Sequence, residues 1–359
     1  MNKNLQKLQS LGQSIWYDNL SKDILDSGEL KGLITEGITG LTSNPAIFKK
    51  AIADTNTYDQ KIKALSNGQD AMAITEKLML EDVAAAADLL RPVYDQTNTK
   101  DGYASLEVSP LLADNTAETI AAAKKYWAEL NRPNIMIKVP ATPEGIPAIE
   151  ELIAAGINVN VTLIFSPAMY KKVVAAYQAG LRKRVASGGE IHNVHSVASF
   201  FISRNDAWAE KNNTAAEASF LNHIGIANAM LAYEIFNQQF SGENFGDLAE
   251  KGGQIQRVLW ASTGVKNLTL DAMYYAVNLP FEHTVATHPP ALIEALMNND
   301  LPAQLPAQTY DNPQTHFDAM QAAGLKETDM YDQLLSAGVS SFADAFDELL
   351  AAVTEKSNK

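Results

Sequence analysis

The chain has 359 residues, 46 % of them hydrophobic, and 42 acidic side chains against 28 Lys and Arg, for a formal net charge of −14. This length suits one large α/β domain, and the negative field opposes binding to nucleic acid or an anionic membrane, so any anion site must be built from local cations. The absence of cysteine excludes disulfides, thiol catalysis and cysteine-based zinc sites, and it fits a reducing compartment, the cytoplasm.

The first ten residues are too polar for a signal-peptide core, and no apolar run is long enough to span a bilayer. The six histidines form no HExxH pattern, and neither GxGxxG nor GxxxxGK[ST] occurs. No metal and no organic cofactor is therefore expected.

In chain order, short apolar runs alternate with helical stretches. The first strand candidate is Ser14–Asp18, and a helix near residues 21–27 separates it from a second at 37–44. Residues 45–95 are rich in Ala, Leu, Lys and Glu and too long for one crossover helix, so two or three helices are expected there. Further strands are expected at 103–109, 134–141, 157–165, 194–203, 257–262 and 283–288. Thr142-Pro-Glu-Gly and Ser166-Pro-Ala read as helix starts. About eight βα units without a glycine-rich nucleotide turn predict a single (β/α)8 TIM barrel over 1–359, with extra helices after the second strand. Residues 310–359 read as two C-terminal helices packed on the outside of the barrel, with 340–354 amphipathic.

The faces of these strands carry the functional signal. In Asn134-Ile-Met-Ile-Lys-Val-Pro-Ala-Thr142, alternation sets Lys138 and Met136 opposite Ile135, Ile137 and Val139. Desolvation of an enclosed ammonium favours the neutral amine, which is a nucleophile for a carbonyl. In the third strand Ser105, Glu107 and Ser109 oppose Ala104, Leu106 and Val108. In the fifth, Asn158, Asn160 and Thr162 oppose Ile157, Val159, Val161, Leu163 and Phe165. Ser199 shares a face with Val197, Phe201 and Ser203; Asp18 lies on the side of Trp16; Thr42 aligns with Asn44.

If the apolar faces meet the helices, the polar ones line the barrel near its C-terminal mouth, where such barrels keep their active sites. One amine, two carboxylates and several hydrogen-bonding groups make up the inventory of an amine-dependent aldolase. Arg204, after the sixth strand, and Lys266, after the seventh, are the candidate phosphate cations. Each residue has a structural alternative. Lys138 reaches solvent or forms a salt bridge, Asp18 and Asn44 cap helices, Glu107 is ion-paired, Asn160 and Thr162 are satisfied core groups, and Arg204 and Lys266 are surface cations.

Gly37-Ile-Thr-Gly-Leu-Thr-Ser-Asn-Pro-Ala-Ile-Phe48 resembles the N-terminal signature of transaldolases, and Ile135-Met-Ile-Lys-Val-Pro-Ala-Thr-Pro-Glu-Gly145 resembles their Schiff-base lysine segment. Ile157-Asn-Val-Asn-Val-Thr-Leu-Ile-Phe-Ser166 is similar to the strand that follows it, and the likeness, closest to the longer bacterial-type subfamily, runs from about residue 11 to 290. It implies that Lys138 forms the imine at the ketose C2, that Asp18 takes the hydroxyl proton when C3–C4 breaks, and that Glu107, Thr162 and a water handle imine formation and hydrolysis. It assigns the dihydroxyacetone hydroxyls to Asn44 and Asn160, a place near the donor to Ser199, and the phosphate to Arg204 and Lys266.

The related fructose-6-phosphate aldolases carry glutamine at the place of Glu107 and tyrosine at that of Phe201, so both residues favour a transaldolase. The implied reaction moves a dihydroxyacetone unit from sedoheptulose 7-phosphate to glyceraldehyde 3-phosphate, giving erythrose 4-phosphate and fructose 6-phosphate, within the pentose phosphate pathway. The alternatives are an aldolase that releases free dihydroxyacetone and a non-catalytic sugar-phosphate binding barrel. Monomer and homodimer stay open.

Overall fold

The computed structural model describes residues 1–214, 218–305 and 312–359. Eight parallel strands close into a barrel in sequence order: β1 (Ser14–Asp18), β2 (Gly40–Thr42), β3 (Tyr103–Glu107), β4 (Ile135–Pro140), β5 (Val159–Ile164), β6 (Ser196–Phe201), β7 (Arg257–Ala261) and β8 (Val285–His288), with β8 pairing back onto β1. This is the (β/α)8 architecture expected from the alternation of elements.

Two apolar shells follow from the period of two. Ile135, Ile137, Val139, Val159 and Val161 point outward and pack under the helices. Trp16, Tyr103, Met136, Val197, Leu259 and Val285 point inward and fill the barrel. The interior is thus a packed core, not a pore. At Gly40 a Cβ would stand 2.6 Å from the Trp16 ring, so only glycine lets the indole lie against β2.

The N-terminal end of the barrel is plugged by polar groups. Arg257 Nη2 lies 3.2 Å from Asp101 Oδ1, Arg257 Nη1 donates to Ser14 Oγ at 2.6 Å, and Trp16 Nε1 donates to Asp101 Oδ1 at 2.8 Å. The Ser14 hydroxyl donates to the other Asp101 oxygen. Both charges are enclosed and hydrogen-bonded, which is the condition for tolerating a buried ion pair.

Several boundaries differ from expectation. The second strand keeps only three residues, because Gly37 closes the helix Glu29–Glu36 at one end of the expected run and Asn44 caps Pro45–Ala53 at the other. Residues 45–95 resolve into three helices, Pro45–Ala53, Asp59–Leu65 and Ala71–Gln96. Strand β5 breaks its alternation. Leu163 adopts φ 60°, the register shifts between Val161 and Ile164, and Ile164 takes the outward place. Leu163 and Phe165, expected on the outer face, therefore join the inner cluster.

The tail forms helices Gln314–Ala322 and Glu327–Ser357, while Tyr310, where the tail was expected to begin, lies outside the described residues. The last helix does not simply pack on the barrel wall. It rests on Pro45–Ala53, with Lys49 Nζ 2.8 Å from Glu348 and Lys356 Nζ bonded to Thr55 O at 2.7 Å and Asp59 at 2.5 Å. Its middle reaches the C-terminal mouth, where a Cβ at Gly338 would stand 3.0 Å from Leu163.

Candidate active site

The C-terminal mouth holds a cavity of about 110 Å³ whose lining includes Asp18, Thr42, Asn44, Lys138, Thr162 and Ser199. Each comes from the C-terminal half of a strand or the first residues beyond it, so the strands deliver their side chains to one space. Lys138 stands beside Glu107 on β3 and Asn160 on β5 in the register.

Lys138 is 5 % exposed. Its Nζ donates to the carbonyl of Ser43 at 2.8 Å and lies 3.1 Å from Glu107 Oε2. Glu107 is buried and has no other hydrogen-bond partner among the described residues. Burial raises the Glu107 pKa above the ordinary carboxylate range; the nearby Lys138 opposes that rise and the Asp18 charge adds to it. The amine is thus not an isolated neutral group but half of a buried pair.

Asp18 faces the same cavity. Its Oδ1 accepts from Thr42 Oγ1 at 2.7 Å, and Thr42 Oγ1 stands 2.8 Å from Thr287 Oγ1 on β8. Burial raises its pKa also, against the Thr42 hydrogen bond and Lys138, which lower it. It does not cap the next helix; the Ser21 hydroxyl does that, accepting from Ile24 N. The two carboxyls are therefore distinguished by their partners, an amine for Glu107 and a hydroxyl pair for Asp18.

Asn44 takes the expected capping role and also faces the cavity. Its side-chain oxygen caps Pro45–Ala53 by accepting from Ile47 N at 3.0 Å, and the residue lines the cavity. Asn160 is buried beside Lys138 in the register, and its amide donates to Ser105 Oγ at 3.1 Å and accepts from Ser199 Oγ at 2.7 Å. Thr162 lines the cavity with its Oγ1 buried and unpartnered, a hydroxyl placed to take a hydrogen bond from whatever enters.

One end of the cavity is formed by the C-terminal ends of β6 and β7 and the residues that follow them. Arg204, in the first turn of Ser203–Asn212, has its Cζ 5.4 Å from the Phe201 ring centroid, and both residues line the cavity. No carboxylate among the described residues pairs with Arg204. Lys266 corrects the expected pair of cations: it is exposed and does not line the cavity. Ser262, at φ 56°, turns the chain at the end of β7, and Thr263 is tied to β8 through Thr287 O at 2.8 Å, so the lysine falls on the outgoing segment.

Four contributors escaped the sequence reading as site residues. Ser43 acts through its carbonyl, which no side-chain pattern reveals. Thr287 sits inside a strand-like run whose register is visible only once β8 closes on β1. Ser262 lines the cavity and lies 3.0 Å, hydroxyl to hydroxyl, from Ser203. Phe342 comes from the last helix. Among the described residues no group of three or more metal-binding side chains converges, and no helix is long and apolar enough to cross a membrane.

Comparison with known proteins identifies the family. The family described as Transaldolase/Fructose-6-phosphate aldolase matches residues 15–353. The chain is 40 % identical over 370 residues to Transaldolase 2 of Nostoc punctiforme, covering 98 % of this chain and 97 % of that protein. It is 39 % identical over 363 residues to Transaldolase of Thermobifida fusca, covering 99 % of each. Transaldolase 1 of Streptomyces coelicolor is 40 % identical over 358 residues, covering 98 % of this chain and 94 % of that protein.

Proposed function

The chain belongs to the transaldolase/fructose-6-phosphate aldolase family, and we propose that Lys138 is the amine through which it acts as a transaldolase. The reaction carries a dihydroxyacetone unit from sedoheptulose 7-phosphate to glyceraldehyde 3-phosphate, or in reverse from fructose 6-phosphate to erythrose 4-phosphate. The observation that carries the assignment is the buried Lys138–Glu107 pair, 3.1 Å apart, at the edge of a cavity that also holds Asp18 and an unpaired Arg204.

The steps follow from the partners. Glu107 takes a proton from the Lys138 ammonium, freeing an amine that attacks the ketose carbonyl at C2. The carbinolamine hydroxyl leaves as water with a proton returned by Glu107, and Thr162 offers its unpartnered hydroxyl to that water. The protonated imine draws electrons from the C3–C4 bond while Asp18, held by Thr42, accepts the proton of the C4 hydroxyl. The aldose product departs and an enamine stays on Lys138. An acceptor aldehyde then meets C3, Asp18 returns its proton to the new hydroxyl, and hydrolysis restores the amine. The imine itself is the electron sink, so the cycle calls for no other cofactor.

Arg204 is the proposed phosphate anchor, a planar fork without a competing carboxylate in a chain whose overall field is negative. Asn44 and Ser199 are the proposed contacts for the dihydroxyacetone hydroxyls, and Asn160 positions Ser199. The proposed compartment is the cytoplasm; monomer and homodimer both suit the reaction.

The rival reading is an aldolase that releases free dihydroxyacetone. Assaying fructose 6-phosphate with and without erythrose 4-phosphate separates the two. Sedoheptulose 7-phosphate formed only with acceptor, and little free dihydroxyacetone without it, is the expected result. Fast acceptor-independent release overturns the transfer assignment, and no turnover of either kind favours a sugar-phosphate binding protein.

A further inference from the structure

Three spaces lie in a row at one side of the mouth. The first is the catalytic cavity. The second, of about 10 Å³, abuts Glu107 and is otherwise walled by apolar groups that include Pro140 and Leu163. The third is an open groove of about 440 Å³ between the Thr142–Pro143 turn and the last helix. Phe342 lines both the first and the second, and Val339 lines both the second and the third. Two side chains one helical turn apart thus stand between groove and cavity, on the flank where Glu107 sits.

The helix is seated for this role. At Gly338 a Cβ would stand 3.0 Å from Leu163 and 3.4 Å from Phe165, so the absence of a side chain lets the helix lie close over β5. The left-handed φ of Leu163 turns that side chain inward beneath it. Phe342 is 7 % exposed. The middle space is near the lower limit of about 10–15 Å³ for one water, and a resident water needs roughly 2–4 polar partners where this lining offers one carboxyl.

We propose that Phe342 and Val339 form a two-layer apolar barrier that keeps groove water from Glu107 and the enamine, and so sets the ratio of transfer to release. The inference rests on the transaldolase reading. Release competes with transfer in two balanced steps. A proton adds to C3 of the enamine, giving the protonated imine of dihydroxyacetone. One water then adds at C2, the C–N bond breaks, and free dihydroxyacetone leaves with Lys138 as the ammonium. Imine hydrolysis is shared with the transfer cycle, so the branch is the first step, protonation of C3 by a proton that water delivers beside Glu107, whereas transfer consumes the enamine with an aldehyde from the open mouth. Excluding water on the Glu107 flank therefore slows release without obstructing the acceptor.

The test compares free dihydroxyacetone released from fructose 6-phosphate alone with transfer to erythrose 4-phosphate, in the wild type, Phe342→Ala, Val339→Ala and Phe342→Leu. The release-to-transfer ratio should rise roughly tenfold in Phe342→Ala. It should rise less in Val339→Ala and stay near the wild-type value in Phe342→Leu, which restores apolar bulk. A ratio unchanged in both alanine variants, with the two rates falling together, overturns the barrier and leaves Phe342 as packing alone. Should Phe342→Ala fail to fold, the half-buried Val339→Ala decides by the same ratio. A wild type that shows no transfer refutes the parent reading instead, so the two failures are distinct.

Discussion

At the N-terminal end of the barrel Arg257 meets Asp101 at 3.2 Å, and at the C-terminal mouth Lys138 meets Glu107 at 3.1 Å. Both pairs are almost wholly enclosed, yet they are built for different ends. Asp101 accepts from Ser14, Trp16 and Arg257, and a guanidinium does not give up its proton. Among the described residues Glu107 has Lys138 alone, and Lys138 lines an open cavity that also holds an unpartnered Thr162 hydroxyl. A saturated pair holds strands together. An under-coordinated pair, with an amine that can lose its proton, is available for chemistry.

Substituting the two cations should break the comparison most sharply. Lys138→Ala should lower transfer by at least ~10⁴-fold, by the precedent of removing a covalent nucleophile. Its melting temperature should stay close to the wild type, because burial raises the Glu107 pKa and loss of the Lys138 charge, which lowers it, eases protonation of the carboxyl left behind. Arg257→Ala should do the reverse, costing about 3–5 kcal/mol of stability by stranding Asp101, with turnover per folded molecule little changed. Denaturant unfolding and kinetics on both variants check this, and equal stability losses would remove the distinction.

Asp18→Asn should lower kcat about 10²–10⁴-fold, while an imine with dihydroxyacetone, which has no C3–C4 bond to break, still forms. Loss of imine formation in that variant would place Asp18 in the earlier step. Arg204→Ala should raise KM for phosphorylated donors roughly tenfold or more and leave free dihydroxyacetone unaffected, since a hydrogen bond to a charged group contributes about 1.5–3 kcal/mol. Equal effects on both substrates would take Arg204 out of the phosphate site.

The smallest expected effect is on pH dependence. In the proposed cycle Asp18 acts as the carboxylate, and burial raises its pKa, so kcat should fall with acidification at a pH above the ordinary carboxylate range. The Thr42 hydrogen bond lowers that pKa, so Thr42→Val should move the acid limb to still higher pH. A limb unmoved, or moved down, would assign it to another group.

Much of this was legible in the sequence for a single physical reason, the two-residue alternation of strands. It set Lys138 inward against Ile135, Ile137 and Val139, and it put Glu107 and Thr162 on the matching faces of β3 and β5, the strands on either side of β4. It failed where the backbone leaves the regular strand. The bulge at Leu163 turned Leu163 and Phe165 to the side opposite their expected one. It was also silent where chemistry rests on a main-chain atom, as at the Ser43 carbonyl. Lys266 was placed by its position after β7, and the turn at Ser262 carried it outward. Phe342 lay beyond reach for another reason. Its amphipathic helix signals burial, but nothing in a 3.6-residue period says that the buried face meets a barrel mouth formed two hundred positions earlier.

Borohydride reduction in the presence of fructose 6-phosphate, followed by peptide mapping, tests the central claim most directly. An irreversible mass adduct on the peptide bearing Lys138, absent from Lys138→Ala, is the outcome this account predicts. An unmodified wild-type chain, or an adduct on a different lysine, would contradict it.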